Sequence, residues 1–354
     1  MTTFPLPTFA GHIAERVADE PAARQQVIAE PVSEPISDGQ VAAAVRTGLN
    51  SSPKRLPPWL FYDKAGSRLF DEITERPEYY LTRTERGILA SHADAMIAQA
   101  ADGARLRITE LGAGSADKTR ILLKAAVAQQ GTVVYEPVDV SASALEAAKK
   151  RIEREIPEVL VAPRVMDYTQ GNGRGLHLEP TPPGERRLVL YIGSSIGNFE
   201  PREAMRLLQR VRAGLNPGDG FLLGVDLVKD ESTLLAAYND AAGVTADFNL
   251  NLLARLNREL GAEFPLDSFE HHAVWNSAKS RIEMHLESRI AQKVSISALD
   301  LEVEFAEGET IHTENSYKYR SGQAEVMLTA SKFAPANSWT DERGWFIVCL
   351  GRAE

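Results

Sequence analysis

The residues best suited to bind a nucleoside follow two short apolar runs. Leu106–Leu111 leads into Gly112-Ala113-Gly114, and glycines at such a turn let backbone amides approach a ligand closely before a helix opens. Val133–Val138 ends at Asp139, about 25 residues beyond the glycines, where a carboxylate can accept hydrogen bonds from both ribose hydroxyls. This spacing predicts an adenosine-containing ligand. Two simpler interpretations stay open: the glycines form only a tight turn, and Asp139 helps to cap the next helix.

Two further positions narrow the choice of ligand. Asp167-Tyr168 follows the apolar stretch Val159–Val165, so its carboxylate can accept from an adenine amino group while the aromatic ring packs on the base. Lys118 can reach the carboxylate of a methionine moiety. The third glycine of a dinucleotide fingerprint is missing, so the set favours S-adenosylmethionine. The alternatives are an ordinary turn at Asp167 and a solvated lysine at position 118.

The pattern around these residues predicts the scaffold that positions them. Leu106–Leu111, Val133–Val138, Leu188–Ile192 and Phe221–Val225 are continuously apolar, as strands buried on both faces are. Apolar residues at helical spacing lie between them, over residues 117–129, 142–155 and 202–214. Alternating strands and helices predict a doubly wound parallel α/β sheet, which binds ligands at the carboxyl ends of its strands.

The pattern changes after Asp226. A helical stretch over residues 231–260 precedes Arg281–Glu287, where polar and apolar residues alternate strictly, as in an antiparallel strand with one wet face. A helical pattern returns over residues 321–332, and Trp345–Leu350 has the composition of a buried strand that rejoins the first sheet. We therefore expect a second, α+β unit inserted within the first.

Composition excludes several classes of protein. The chain has 354 residues and a formal net charge of −10, which argues against a nucleic-acid partner. Cys349 is the sole cysteine and none of the seven histidines has metal-ligand spacing, so we expect a cytoplasmic protein without a metal site. No apolar stretch approaches the ~20 residues of a membrane span. Residues 1–38 carry five prolines and little periodicity, which predicts a loosely packed N-terminal arm.

Several longer strings identify a family. The chain closely resembles the ergothioneine-pathway histidine Nα-methyltransferases in Phe61–Asp71, Pro77–Glu85, Glu110–Gly114, Lys118–Arg120, Gly193–Asn198, Asp226–Asp230, Ala241–Thr245 and Arg281–Met284. The resemblance runs from about residue 39 to the C-terminus. It implies a class I methyltransferase-type sheet in residues 84–227 plus 319–354, and a substrate-binding domain in residues 39–83 plus 228–318. It also implies a monomer that methylates the α-amino group of free L-histidine three times.

The same resemblance implies the site residues, by motif. The S-adenosylmethionine contacts fall on Gly112, Lys118, Asp139, Asp167 and Tyr168, the positions already reached from the strand ends. The amino-acid pocket comprises Tyr62, Tyr79, Asn198, Tyr238, Met284, Glu314 and Ser316. Tyr62, Asn198 and Tyr238 are the expected catalytic residues. Asn198 and Tyr238 would hold the substrate carboxylate and orient the amine, and the two tyrosines Tyr62 and Tyr79 would wall the amine end.

These residue types suit methyl transfer to an amine. The reaction needs a neutral amine held in line with the methyl group, so positioning supplies most of the acceleration. Glu314 and Ser316 are two residues apart and share a face of an extended chain, where a carboxylate and a hydroxyl can read the two imidazole nitrogens. The simpler interpretation of that pair is an exposed strand face, and core packing is the simpler role for Met284.

Three other functions compete with histidine methylation. A related branch of the family methylates a prenylated tryptophan, but Met284 and Glu314 argue against a bulky indole. A catalytically silent S-adenosylmethionine-binding module is disfavoured by the full set of pocket residues. A nicotinamide-dependent dehydrogenase shares the fold but needs the missing glycine and a catalytic His or Lys constellation.

Overall fold

The structure is a computed structural model that describes residues 38–169, 176, 178 and 180–354. Residues 1–37 of the predicted N-terminal arm lie outside the described residues. The described helices are α1 (Asp38–Leu49), α2 (Lys64–Thr74), α3 (Tyr80–Ala101), α4 (Thr119–Gln130), α5 (Ala142–Glu155), α6 (Pro201–Ala213), α7 (Glu231–Tyr238), α8 (Val244–Leu260) and α9 (Gln323–Ala330). The described strands are β1 (Lys54–Arg55), β2 (Arg105–Leu111), β3 (Val133–Asp139), β4 (Val159–Val161), β5 (Arg164–Val165), β6 (Glu185–Tyr191), β7 (Gly220–Asp226), β8 (Phe269–Asn276), β9 (Arg281–Ser288), β10 (Gln292–Ile296), β11 (Leu301–Phe305), β12 (Thr310–Tyr317), β13 (Phe333–Thr340) and β14 (Phe346–Ala353).

The large sheet is the predicted doubly wound α/β sheet. Its order is β13-β14-β7-β6-β2-β3-β4, with β5 paired to β3, and the strands from β7 to β4 are parallel. Apolar residues of α3, α4 and α5 pack on one face, and those of α6 and α9 pack on the other. The strand order reverses between β2 and β6, so the carboxyl ends of these strands open a crevice for a ligand.

The last strand rejoins the large sheet, as the Trp345–Leu350 run predicts. β14 pairs antiparallel with β7, and Cys349 lies opposite Leu223. The chain between β7 and α9 supplies three antiparallel strands of a small sheet of order β1-β12-β9-β8, and β1, from an earlier part of the chain, pairs parallel with β12. Residues of α1, α2, α7 and α8 complete the core of the small sheet. The prediction of an insertion is therefore confirmed.

Helix α3 passes from one core to the other. Tyr80 and Leu81 in its first turn pack in the core of the small sheet, whereas Ile88, Leu89 and Met96 pack against the large sheet. The domain boundary predicted between residues 83 and 84 lies inside this continuous helix. A single rigid element thus holds the two cores together next to the crevice.

The helical stretch predicted over residues 231–260 is wrong in one respect, because two helices occupy it. α7 ends at Tyr238 and α8 starts at Val244. Asp240 accepts hydrogen bonds from the backbone amides of Val244 at 3.1 Å and Thr245 at 2.7 Å. Gly243 adopts a φ of +77°, which a glycine tolerates without strain. The break leaves Tyr238 at a helix end, where its side chain faces β12.

Candidate functional site

The glycine turn after β2 lines one wall of a large cleft. Gly112 has a φ of +68°, and its backbone amide donates to the carbonyl oxygen of Val138 at 2.8 Å. A Cβ at Gly112 would lie 2.7 Å from Tyr168 Oη, too close for any side chain. The glycine is therefore required both by the turn and by the ring beside it, and the backbone stays open to a ligand.

Asp139 fastens the glycine turn from the end of β3. Its Oδ2 accepts from the amide of Gly114 at 3.0 Å, and its Oδ1 accepts from the amide of Ser141 at 2.9 Å. Burial raises the pKa of this carboxyl despite those bonds. The cap of α5 is Ser141, whose side chain accepts from the amide of Ala144. Asp139 is thus not the cap itself, but it holds the amide of the cap residue while it also braces the turn and lines the cleft, so the two roles considered for it are compatible.

Asp167 and Tyr168 line the same cleft, and the Tyr168 hydroxyl lies beside Gly112. Asp167 Oδ1 accepts from the amide and the hydroxyl of Thr169, at 2.8 and 2.5 Å. The Tyr168 ring packs edge-on against Tyr191 with 5.9 Å between ring centres, and burial raises the pKa of its hydroxyl well above the ordinary value. An acidic group and a flat apolar ring therefore stand side by side, as the recognition of a purine requires.

Lys118 has a protein partner that the sequence did not indicate. Its Nζ forms an ion pair with Glu85, a carboxylate of α3 that is fully buried. Both Glu85 oxygens also accept from the amide of Gly193 at 2.9 Å. The lysine thus lines the cleft while Glu85 fixes its position.

A small chamber opens from the cleft towards the small sheet. The cleft has a volume of about 1420 Å³ and the chamber about 60 Å³. The cleft is lined by all five residues predicted to contact S-adenosylmethionine: Gly112, Lys118, Asp139, Asp167 and Tyr168. The chamber is lined by all seven predicted for the amino acid: Tyr62, Tyr79, Asn198, Tyr238, Met284, Glu314 and Ser316. Three of these, Tyr62, Tyr79 and Asn198, line both spaces and mark their junction.

The chamber residues come from element ends and from one irregular strand. β12 pairs with β9 so that Glu314 lies opposite Met284 and Ser316 opposite Ile282, after a register shift between His312 and Glu314. Glu314 is 9% exposed and Ser316 is 4% exposed. The interpretation of this pair as an exposed strand face is therefore wrong. Met284 is buried as well, and it both packs in the core and lines the chamber.

Glu314 supplies a carboxyl group to the chamber. Its carboxylate accepts from Asn198 Nδ2 at 3.0 Å. Burial raises the pKa of Glu314 to about 7, and the positive charge of Lys318 and the Asn198 hydrogen bond oppose that rise. Asn198, expected to bind the substrate carboxylate, thus also contacts the group expected to read the imidazole. The turn Ser195–Asn198 brings it there from the end of β6.

Aromatic rings wall the chamber at its junction with the cleft. Tyr62 packs edge-on against Phe70 and Phe248, with ring centres 5.8 and 6.0 Å apart. Tyr79 packs in the same way against Tyr238 at 6.2 Å. Burial raises the pKa of Tyr62 well above its ordinary value, so the phenol stays neutral. Ring faces of this kind attract a cation through their quadrupoles.

Sequence reasoning missed several residues that shape the site. Phe70 and Glu85 lie within the strings that carry the family resemblance, but no chemistry in their types pointed to a role. Phe248 lies outside those strings, and only the structure shows that it lines the chamber. Lys318 lies behind Ser316, and the period of two that links Glu314 to Ser316 extends to it. That period was the signal that could have found it.

The described residues contain neither a metal-binding cluster nor a membrane-spanning helix. Among residues 38–169, 176, 178 and 180–354, no group of three or more His, Cys, Asp or Glu is placed to hold a metal ion. In that same part of the chain, every helix is too short or too polar to span a bilayer.

Comparison with known proteins agrees with this geometry. The model of the histidine-specific, SAM-dependent methyltransferases matches residues 41–353. The histidine N-alpha-methyltransferase of Mycolicibacterium smegmatis is 46% identical over 306 residues, which cover 86% of this chain and 92% of that protein. The enzyme of that name from Mycobacterium tuberculosis is 44% identical over 307 residues, with the same coverage. Ergothioneine biosynthesis protein 1 of Neurospora crassa is 34% identical over 320 residues, which cover 85% of this chain and 34% of that protein. The chain therefore belongs to the family of histidine-specific, S-adenosylmethionine-dependent methyltransferases.

Proposed function

We propose that the protein transfers methyl groups from S-adenosylmethionine to the α-amino group of L-histidine, three times, to give Nα,Nα,Nα-trimethylhistidine on a route to ergothioneine. The observation that carries the proposal is the junction itself. Tyr62, Tyr79 and Asn198 line both the large cleft and the small chamber. A nucleoside donor in the cleft and an amino acid in the chamber would therefore meet at these three side chains.

The cleft residues fit the methyl donor. A Cβ at Gly112 would fill the space beside Tyr168, and the buried Asp139 carboxylate lies at the end of the neighbouring strand. Asp139 would hold the ribose, Asp167 and Tyr168 the adenine, and Lys118 the methionine carboxylate. When bound, S-adenosylmethionine supplies a methyl group on a positively charged sulfur, which an amine can take without a metal.

The chamber residues suit an imidazole. Glu314 and Ser316 point into the same buried space from one strand. A carboxylate accepts from one ring N–H of an imidazole and a hydroxyl can bond the second ring nitrogen, whereas an indole offers a single ring nitrogen.

The amine end needs orientation more than a strong base. A free α-amine has a pKa near 8, so a substantial neutral fraction exists at neutral pH. Tyr238 and Asn198 would hold the carboxylate, which fixes the amine at the junction. The faces of Tyr62 and Tyr79 would stabilise the increasingly methylated ammonium, which supports three transfers rather than one.

We extend the proposal to the organisation of the chain. Residues 39–83 plus 228–318 form the substrate-binding domain, and residues 84–227 plus 319–354 form the methyl-donor domain, with α3 as their common element. The enzyme works as a monomer in the cytoplasm. A single chain provides all twelve site residues, which supports the monomer.

The test is direct. The purified protein is incubated with S-adenosylmethionine and each free amino acid in turn, and the masses of the products are measured by mass spectrometry. We expect a gain of three methyl groups on histidine alone. S-adenosylmethionine binding without methylation of any amino acid would refute the proposal and favour a silent binding module, whereas product from a tryptophan derivative alone would reassign the acceptor.

A further inference from the structure

Lys318 is a buried lysine directly behind the amino-acid chamber. Its side chain is 0% exposed. Its Nζ lies 2.8 Å from Tyr238 Oη, 2.9 Å from Ser316 Oγ and 2.9 Å from Asp226 Oδ2. An ammonium group has three protons, and these three oxygens accept all of them. A buried charge is stable only when it is satisfied in this way, so the lysine holds both hydroxyls in fixed positions.

The hydroxyl protons can be counted from these contacts. Tyr238 Oη and Ser316 Oγ lie 2.7 Å apart, and each accepts from Lys318. Only one of the two hydroxyls can donate to the other, so one hydroxyl proton is left for a third group. Both residues line the chamber, so that group is the ligand. By donating to both oxygens, Lys318 thus leaves the Tyr238–Ser316 pair with one hydroxyl proton to donate to a ligand.

The charges point to the kind of group that would accept this proton. Asp226 is the only carboxylate in contact with Lys318 among the described residues, and it also forms an ion pair with Lys229 at 2.6 Å. Tyr80 donates to the same carboxylate at 2.7 Å. Glu314 is a second carboxylate near Lys318, so the charges of the two lysines and the two carboxylates balance. Lys318 is the cation in contact with both hydroxyls, and its charge favours an anionic group as the acceptor of the remaining proton.

We propose that Lys318, held by Asp226, is the positioning residue through which Tyr238 recognises the substrate's α-carboxylate, so that the enzyme accepts an amino acid and rejects the corresponding amine. The inference rests on the proposed function, because it takes an α-amino acid to occupy the chamber. Ser316 donates to Tyr238, and Tyr238 donates to the carboxylate.

The test compares histidine with histamine, which has the same imidazole and amine but no carboxylate. Lys318→Met removes the ammonium and keeps an unbranched side chain. Lys229→Met is the matched control, because Lys229 contacts Asp226 but its ammonium forms no hydrogen bond with Tyr238 or Ser316. Dissociation constants for both ligands are measured by titration calorimetry, and kcat and KM are measured for histidine.

We expect Lys318→Met to weaken histidine binding about 10- to 100-fold, the range for a lost hydrogen bond to a charged group. Histamine binding should change less than threefold, and KM for histidine should rise more than kcat falls. Lys229→Met should leave the ratio of the two dissociation constants within threefold of the wild-type ratio. Equal weakening of both ligands by Lys318→Met would show a packing role only and overturn the inference.

Two further arms keep the outcomes apart. If Lys318→Met does not fold, Tyr238→Phe removes the donor while Lys318 keeps its ion pair with Asp226, and an unchanged ratio in that variant would overturn the inference. Turnover of histidine by the wild-type protein is the reference. Its absence would refute the proposed function instead, whereas turnover with equal affinity for histidine and histamine would refute only the role of Lys318.

Discussion

Replacing Glu314 with glutamine should raise the free energy of unfolding of the ligand-free protein and lower its activity towards histidine. Burial raises the pKa of Glu314 from 4.5 to about 7, so its ionisation is disfavoured in the fold by about 2.5 pKa units. At about 1.4 kcal/mol per pKa unit this amounts to about 3 kcal/mol, most of which develops between pH 5 and pH 8. The sign follows from the raised pKa: the folded protein binds the extra proton, so stability falls as pH rises through 7.

The assay is urea unfolding of wild type and Glu314→Gln at several pH values from 5 to 8. Glutamine keeps an oxygen that can accept from Asn198, so the Asn198 contact at 3.0 Å can persist. The stability advantage of Glu314→Gln should grow by about 2–3 kcal/mol across this range. An advantage that does not vary with pH would refute the reasoning, because the carboxyl would then titrate alike in the folded and unfolded chains.

The same variant should lose activity towards histidine. A charged acceptor for the imidazole is exchanged for a neutral one, so kcat/KM should fall about 10- to 100-fold. Glu110→Gln is the matched control. Burial also raises the pKa of Glu110 to about 7, but Glu110 lines the cleft and not the chamber. It should show a similar pH-dependent gain in stability and leave the affinity for histidine within threefold of the wild-type value.

The remaining predictions concern the cleft and its junction with the chamber. Gly112→Ala should raise KM for S-adenosylmethionine at least tenfold, because its Cβ would lie 2.7 Å from the Tyr168 hydroxyl. The control is Gly103→Ala, where φ is +83° and the space around the Cβ is open. It should lower the free energy of unfolding, measured with urea, by only the backbone strain of about 1–2 kcal/mol. Tyr62→Leu should slow the later methylations about 2- to 10-fold more than the first and Tyr62→Phe should not, as followed by mass spectrometry over time; equal slowing of all steps would count against a cation–π role. Asp139→Asn should weaken S-adenosylmethionine binding about 10-fold in calorimetry and leave histidine affinity within threefold; a parallel loss for both ligands would indicate general unfolding of the turn.

Much of the nucleotide cleft follows from local sequence. A parallel strand buried on both faces must be apolar along its length, so Leu106–Leu111 and Val133–Val138 are recognisable without any knowledge of their neighbours. The topology of such sheets then fixes where their carboxyl ends lie, and Gly112 and Asp139 come together as a consequence. The helix cap considered for Asp139 is provided by Ser141, two residues later, and Asp139 accepts from the amide of that cap residue.

The chamber depends on contacts that are distant in sequence. Tyr62, Asn198, Tyr238 and Glu314 come from four separate segments, and only the family resemblance linked them before the structure did. Local pattern even pointed the other way for Glu314 and Ser316, because alternating polar residues on a strand are usually exposed. They are buried because α7 and the turn Ser195–Asn198 cover that face of β12.

The sequence alone determined the doubly wound sheet, the inserted second unit and the positions of the predicted nucleoside-binding residues that line the cleft, since periodicity and strand-end chemistry are local properties. The tertiary structure decided the partner of Lys118, the raised pKa of Glu314 and the placement of Lys318 behind Tyr238. Each of these depends on burial and on a charge contributed from another part of the chain. Burial and Coulomb interactions act through space, and spacing along the chain does not specify which groups will share it.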